Sequence, residues 1–212
     1  DLMNEGIAKP MGSFIQSNSN PKFRVKAIGS FKQLPGCPDY VYEALSEKRI
    51  QKISDGECYH PSDERYQLER IEIIKITPQN SKNEDPSTLI FDTWKTFECD
   101  SNQVECEIEF TDEDFENQQR DAVYYVRAIE EDTLLVNGSN LRTQFDADGH
   151  PISVDQCHAD YREDYEEECL GPGGHRAWSS PIFVDYKEKV SADIMVSELN
   201  NISQENEESK VN

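Results

Sequence analysis

The sequence predicts a mainly β protein: two antiparallel sheets packed as an immunoglobulin- or fibronectin-III-like sandwich, with one short helical insert at about 38–54. Three observations predict it. Ala122–Ile129 and Arg176–Val184 are dense in β-branched and aromatic residues, as strands of an antiparallel sheet are. Seven or so such short runs occur with no helices alternating between them, which argues against a parallel α/β fold and leaves a barrel as the structural alternative. Six cysteines fall into three sequence-local pairs, the pattern of a braced, loop-rich domain.

In chain order, residues 1–21 hold Gly6, Pro10, Gly12, Pro21 and a Ser/Asn cluster, and read as a connector. Lys22–Phe31 alternates, with Phe23, Val25 and Ala27 on one side and Arg24 and Lys26 on the other, so it is a half-buried strand. Pro38–Ser54 is the one helical region. Ser46 is placed to cap a second segment that points Ile50 and Ile53 inward, and Asp55-Gly56 ends it. Leu68–Thr77 is the strongest strand. Its apolar residues change face between Ile73 and Ile74, which predicts a bulge or burial on both faces. Leu89–Phe97 and Val104–Phe110 follow as strands, then an acidic turn or short helix at Asp112–Gln118. Ala122–Ile129 is a central strand. Thr143–Phe145 and Ile152–Val154 flank the Gly-bearing turn Asp146–Gly149 as a hairpin. Trp178–Tyr186 closes the fold, at an edge or broken, because Pro181 cannot donate to a ladder. The sandwich domain therefore spans 22–186. Residues 187–212 form an acidic tail, partly helical or disordered by composition.

The chain carries 43 acidic and 21 basic residues, a formal net charge of −22. Such an excess repels phosphate backbones and anionic membranes, so nucleic acid is a poor partner. No run of 18 apolar residues exists, which excludes a membrane-spanning helix.

Cys37, Cys58, Cys99, Cys106, Cys157 and Cys169 allow 15 pairings. The most economical is local: 37–58, 99–106 and 157–169. The second would staple a hairpin, and the third would close an acidic loop with little core of its own. Zinc is the competing reading, but no CxxC or comparable Cys/His spacing occurs. Disulfides place the chain in an oxidising compartment: periplasm, cell surface or outside the cell.

Chemistry-bearing motifs are scarce. There is no GxSxG, P-loop or GxGxxG, and no two histidines have metal-enzyme spacing. No catalytic residue is assigned, and no cofactor within this chain beyond calcium. Asp146, Asp148 and Gly149 resemble the start of a calcium loop, but His150 and Cys157 stand where an EF-hand needs oxygen ligands. A plain turn and a calcium site built from Asp146, Asp148 and Asp155, with Asp160 as a further candidate, are the alternatives. The five carboxylates of residues 161–168 are either a solvated loop or a divalent-ion site. Trp94 and Trp178 read as buried core indoles; exposed, they would be sugar-stacking platforms.

Leu2-Met3 with Met11-Gly12, Ala27-Ile-Gly-Ser-Phe-Lys-Gln33, Pro35-Gly-Cys-Pro-Asp39, Gly56-Glu-Cys-Tyr59 with Pro61-Ser-Asp-Glu-Arg65, Arg70-Ile-Glu-Ile-Ile74, Asp121–Glu130, Asn137–Asp148 and Arg176–Val184 together resemble one bacterial family. It is a domain-of-unknown-function family of large exported proteins related to the PHP (polymerase and histidinol phosphatase) metal-dependent phosphoesterases. The resemblance covers about residues 1–186 and corresponds to the family's C-terminal region. It implies a catalytic barrel, holding divalent metal through His and Asp/Glu ligands, in the same precursor or a separate chain. None of the barrel's His-x-His motifs occurs here, so no ligand is carried over. The implied role is a non-catalytic module present without its barrel. The alternative is a stand-alone extracellular binding or structural module for carbohydrate or calcium.

Overall fold

The computed structural model describes residues 1–4, 7–55, 58–155 and 169–187. It is mainly β and is built as two larger facing sheets, two further two-stranded sheets and a small helical insert. The strands are β1 (Leu2–Asn4), β2 (Ile7–Lys9), β3 (Phe14–Ser17), β4 (Lys22–Ile28), β5 (Phe31–Pro35), β6 (Tyr59–Arg65), β7 (Leu68–Ile76), β8 (Ile90–Glu98), β9 (Glu105–Thr111), β10 (Ala122–Val136), β11 (Thr143–Phe145), β12 (Pro151–Val154), β13 (Leu170–Trp178) and β14 (Ile182–Tyr186). The helices are α1 (Asp39–Ala44), α2 (Glu47–Ser54) and α3 (Phe115–Gln118).

One sheet has the order β2-β1-β4-β9, and the other β3-β14-β10-β7-β8, with β13 also paired to β10. The chain thus enters the first sheet at β1, switches to the second at β3, and returns at β4. It then crosses to β7 and β8, returns at β9, and ends in the second sheet. This is the Greek-key path of an immunoglobulin- or fibronectin-III-like sandwich. The β3–β14 pair is parallel because the opening segment is divided between the two sheets.

Period-2 alternation sets the interface. Phe23 points inward from β4, where it stacks on Phe110 of β9 at 4.8 Å and tilts against Tyr124 of β10 at 4.6 Å. Ile71, Ile73, Ile182, Val184, Leu2 and Ile15 complete a core shared by both sheets. Burying each large side chain here contributes roughly 1.5–3 kcal/mol. On the outer face of β4, Lys22 and Lys26 meet Glu109 and Glu105 of β9 at 2.6 and 2.5 Å.

The change of face in β7 resolves into both expected devices. Its register shifts against β8 between Ile73 and Lys75 but stays continuous there against β10. Ile71 and Ile73 enter the core while Glu72 and Ile74 are buried on the opposite side.

Several segments differ from expectation. Residues 1–21 carry three strands of the two sheets rather than a free connector. These strands are only three or four residues long, too short for periodicity to register. β10 runs seven residues beyond Ile129 despite Glu130, Glu131 and Asp132. Ser30 donates through its N–H and Oγ to Glu130 at 2.5 and 3.1 Å, and Gln67 N–H donates to Glu131 at 3.1 Å. Those carboxylates therefore lie in the strand without a desolvation penalty left unmet. Residues 171–174, Gly-Pro-Gly-Gly, form strand in β13 instead of a hinge. A Cβ on Gly171 would lie 2.4 Å from the carbonyl oxygen of Gly138, so the glycines permit a close backbone crossing.

The closing strand is broken as Pro181 requires. β13 and β14 lie along the same edge of β10, separated by Ser179–Pro181. At the break Ser179 Oγ takes the Val126 N–H at 3.0 Å, and Ser179 N–H returns to Val126 O at 3.0 Å.

Candidate docking surface

The helical insert is a loop between paired strands. β5 and β6 pair antiparallel up to Pro35 opposite Tyr59. Cys37–Cys58 then ties the two ends of the excursion together, with Cα atoms 5.0 Å apart. Pro38 precedes α1, and Ser46 stands at the N-cap of α2 without a side-chain cap bond. Asp55, left-handed at φ 51°, ends α2. Neither helix buries any residue. Ile53 is 62% exposed and Tyr40 70% exposed, with Tyr42 and Leu45 also in solvent. Ile50 and Ile53, three residues apart, share one face of α2. The expectation that they point inward holds only in part, since Ile50 is half-buried and Ile53 is not. A helix of eight residues is marginal by itself in water, and its tertiary face normally supplies the missing stability. Here the bridge holds the insert in place while its apolar face stays open.

The second feature is a groove of about 630 Å³ between the sheets. Val25, Ala27 and Ile28 of β4 line one wall. Val126, Ala128, Ala177 and Trp178 line the other, and Met11 stands at the mouth. Trp178 was expected in the core but is 60% exposed, because it ends β13 directly before the Ser179–Pro181 break. Trp94 does pack against the core, edge-on to Phe110 at 6.2 Å.

The buried polar groups are structural. Asp112 is fully buried beneath α3, and its Oδ2 accepts from Lys75 Nζ and Tyr124 Oη, each at 2.5 Å. Lys75 also donates to Gln118 Oε1 at 3.0 Å and lies 5.2 Å from the Trp94 ring. Burial, and then the hydrogen bond to Asp112, raise the Tyr124 phenol well above the ordinary tyrosine range. The triad locks the β9–β10 connection, in the manner of the tyrosine at the corner of such sandwiches. On the outer face of the second sheet, Glu72 takes Arg70 Nε at 2.8 Å and Arg127 Nε at 2.6 Å. Burial pushes the Glu72 carboxyl up, but the two guanidinium hydrogen bonds outweigh it and hold the group below its usual range. Every group in these networks has its counter-charge within the fold.

Two of the local cysteine pairs form as expected, Cys37–Cys58 and Cys99–Cys106. The second is not a hairpin staple. β8 pairs with β7 and β9 with β4, so Cys99–Cys106 joins the two sheets across the core. Cys169 is disulfide-bonded, while Cys157 lies outside the described residues, as do Asp160, the acidic run 161–168 and the tail 188–212.

Asp146 and Asp148 occupy the β11–β12 turn together with His150, their ligand atoms within 4.8 Å of one another. Asp155 is not among them. It follows β12, where its carboxylate accepts from Gln144 Nε2 at 3.3 Å. The Asp146 Oδ1 atom takes the N–H groups of Asp148 and His150 at 2.9 and 2.8 Å, and these bonds hold its carboxyl below the usual range. All three turn residues are exposed.

Among the described residues no helix is long and apolar enough to cross a membrane. No known protein family, curated protein or solved structure matches the chain.

Proposed function

We propose that this chain is the non-catalytic β-sandwich module of a PHP-like, metal-dependent hydrolase, covering or stabilising a catalytic barrel supplied in the same precursor or by a separate chain. The observation that carries this reading is the helical insert: two short helices, cross-linked at their base, that fully bury no residue in their own domain and present Tyr40, Leu45 and Ile53 to solvent. An apolar face on elements too short to be stable alone is what a docking element looks like before its partner is in place. The resemblance points the same way. Its most specific stretches, Tyr125–Ile129 and Arg176–Ile182, are neighbouring strands in one sheet, so what they share with the family is scaffold. The hydrolytic metal belongs to the barrel. The disulfides fit an exported protein, in the periplasm, at the cell surface or secreted.

The experiment is to isolate the protein from its source, measure its intact mass and bound metal, and assay phosphomonoester hydrolysis. The proposal expects this chain within, or in complex with, a larger metal-containing hydrolase, with the isolated 212-residue chain inactive. A native protein consisting of these residues alone would contradict it.

One observation favours the second reading, a carbohydrate-binding module: the exposed Trp178 ring at the groove mouth. Saturable quenching of its fluorescence by oligosaccharides would support that reading over the first.

A further inference from the structure

Glu130 is the one buried ionisable group without a counter-charge among the described residues. Glu72 has two guanidinium groups and Lys75 has Asp112, whereas Glu130, 7% exposed, forms no ion pair. Lys32 stands 5.5 Å from the Tyr66 ring and pairs with Glu131 instead, at 3.5 Å. Ser30 gives Glu130 two hydrogen bonds, from its N–H to one carboxylate oxygen at 2.5 Å and from its hydroxyl to the other at 3.1 Å. A carboxylate offers about four lone-pair sites, so half of them stay open and the charge is unmatched.

The strand turns this carboxylate inward. Tyr124, Val126 and Ala128 alternate along β10 toward the core and the groove, and Glu130 continues their row opposite Leu68 of β7, a core residue. A position that served packing alone would be apolar there. The register of β10 against β13 passes from Ile129–Arg176 to Asp132–Gly174, which leaves Glu130 and Glu131 opposite His175 alone. Such bulges re-aim side chains and are over-represented beside active sites.

Glu130 and Ser30 line a cavity of about 360 Å³, within the size range of small-molecule sites. Tyr66, His175 and Gln33 supply its polar wall, and Leu68 and Ala128 its apolar one. The Tyr66 and His175 rings tilt against each other at 5.7 Å. Gln33 uses its Nε2 on Phe31 O at 3.2 Å, which leaves its side-chain carbonyl without a donor among the described residues. The unmatched carboxylate calls for a cation, and a net charge of −22 draws cations to the chain. A metal ion needs more ligands than are present: among the described residues, no two further His, Cys or carboxylate ligand atoms converge with Glu130. An aromatic ring beside carboxylate, amide and imidazole acceptors suits an ammonium group, whose N–H donors meet the acceptors while its hydrocarbon lies on the ring.

We propose that this cavity binds a small primary ammonium compound, an alkyl- or arylalkylamine, with its charged nitrogen on Glu130 and its hydrocarbon against Tyr66 and Leu68. The site lies within the sandwich, so it stands or falls separately from the docking of a barrel.

The test titrates the full chain with benzylammonium chloride near neutral pH and follows the backbone amide chemical shifts. A ligand of about eight non-hydrogen atoms should bind with a Kd of about 1 mM. The shifts should saturate and centre on Ser30, Tyr66, Glu130 and His175. Benzyl alcohol has the same shape without the charge, and benzyltrimethylammonium has the charge without an N–H donor; each should bind at least about tenfold more weakly. Glu130→Gln keeps an acceptor for Ser30 and should weaken benzylammonium by about tenfold or more. The two comparison compounds are used on the unaltered chain, so their outcome stands even where the variant unfolds. Absence of saturable shifts up to about 20 mM would overturn the proposal. So would shifts centred elsewhere, equal binding of either comparison compound, or unchanged affinity in a folded Glu130→Gln chain.

Discussion

Replacing Asp112 with asparagine tests how the β9–β10 corner is held. In the folded chain, Asp112 is fully buried and Lys75 is 3% exposed. Asparagine keeps the side-chain volume and an acceptor for Tyr124 Oη, so no cavity opens. What is lost is the negative charge. The Lys75 ammonium then keeps Gln118 Oε1 at 3.0 Å and the Trp94 and Tyr124 rings at 5.2 and 6.0 Å. Removing one partner of a buried ion pair costs about 3–5 kcal/mol, mostly because the other charge is left uncompensated. We expect a loss of about 3 to 4 kcal/mol, since the amide still accepts one hydrogen bond. Guanidinium denaturation with unchanged m-value is the assay. The double variant Lys75→Met/Asp112→Asn removes both charges and should lie within about 1 kcal/mol of the parent, because apolar replacements of buried pairs are often neutral. A single-variant loss under about 1 kcal/mol would refute the reasoning, as would a double variant no better than the single.

Tyr124 gives an alkaline signature. Its folded pKa is raised above the unfolded value, so its share of stability is present below about pH 10 and is lost as pH climbs higher, at roughly 1.4 kcal/mol per pH unit; Tyr124→Phe should flatten that fall in pH-dependent denaturation. Gly138→Ala would set a Cβ 2.0 Å from Gly171 O, and the forced backbone shift should cost about 3 kcal/mol by thermal or chemical melting. Converting Cys99 and Cys106 to serine opens a loop with sequence separation 7, and should lower stability by about 2.5 kcal/mol in denaturant titrations. Calcium at millimolar concentration should move the melting temperature by less than about 1 °C, since Asp146 Oδ1 already holds two backbone N–H groups. A larger, saturable rise would support the calcium site.

Much of the sandwich was legible because its long strands alternate cleanly. Phe23, Val25 and Ala27 mark the inner face of β4, and the helical insert is bounded by Pro38, Ser46 and Asp55. The cysteine spacing also gave two bridges, though not that Cys99–Cys106 spans the sheets, since pairing partners of β8 and β9 are set by tertiary contacts. The far half of β10 was hidden by Glu130, Glu131 and Asp132, whose acceptors are satisfied by residues distant in sequence. The Lys75–Asp112 pair was hidden for the same reason, although a lysine between Ile74 and Ile76 is itself a signal of a buried counter-ion. As for the site, the Ile50/Ile53 spacing announced an apolar helix face, but periodicity cannot say whether the face is covered by its own domain. Exposure of Trp178 likewise depends on the local break at Pro181, not on the residues beside it.

The central claim is that the insert is a covered surface in the native protein. Hydroxyl-radical footprinting of Tyr40 and Tyr42 measures this directly, comparing the isolated chain with the protein purified in its native form. Strong labelling in the isolated chain and protection in the native protein is the expected result. Equal labelling in both would mean that the helices face solvent throughout and that the docking account is wrong.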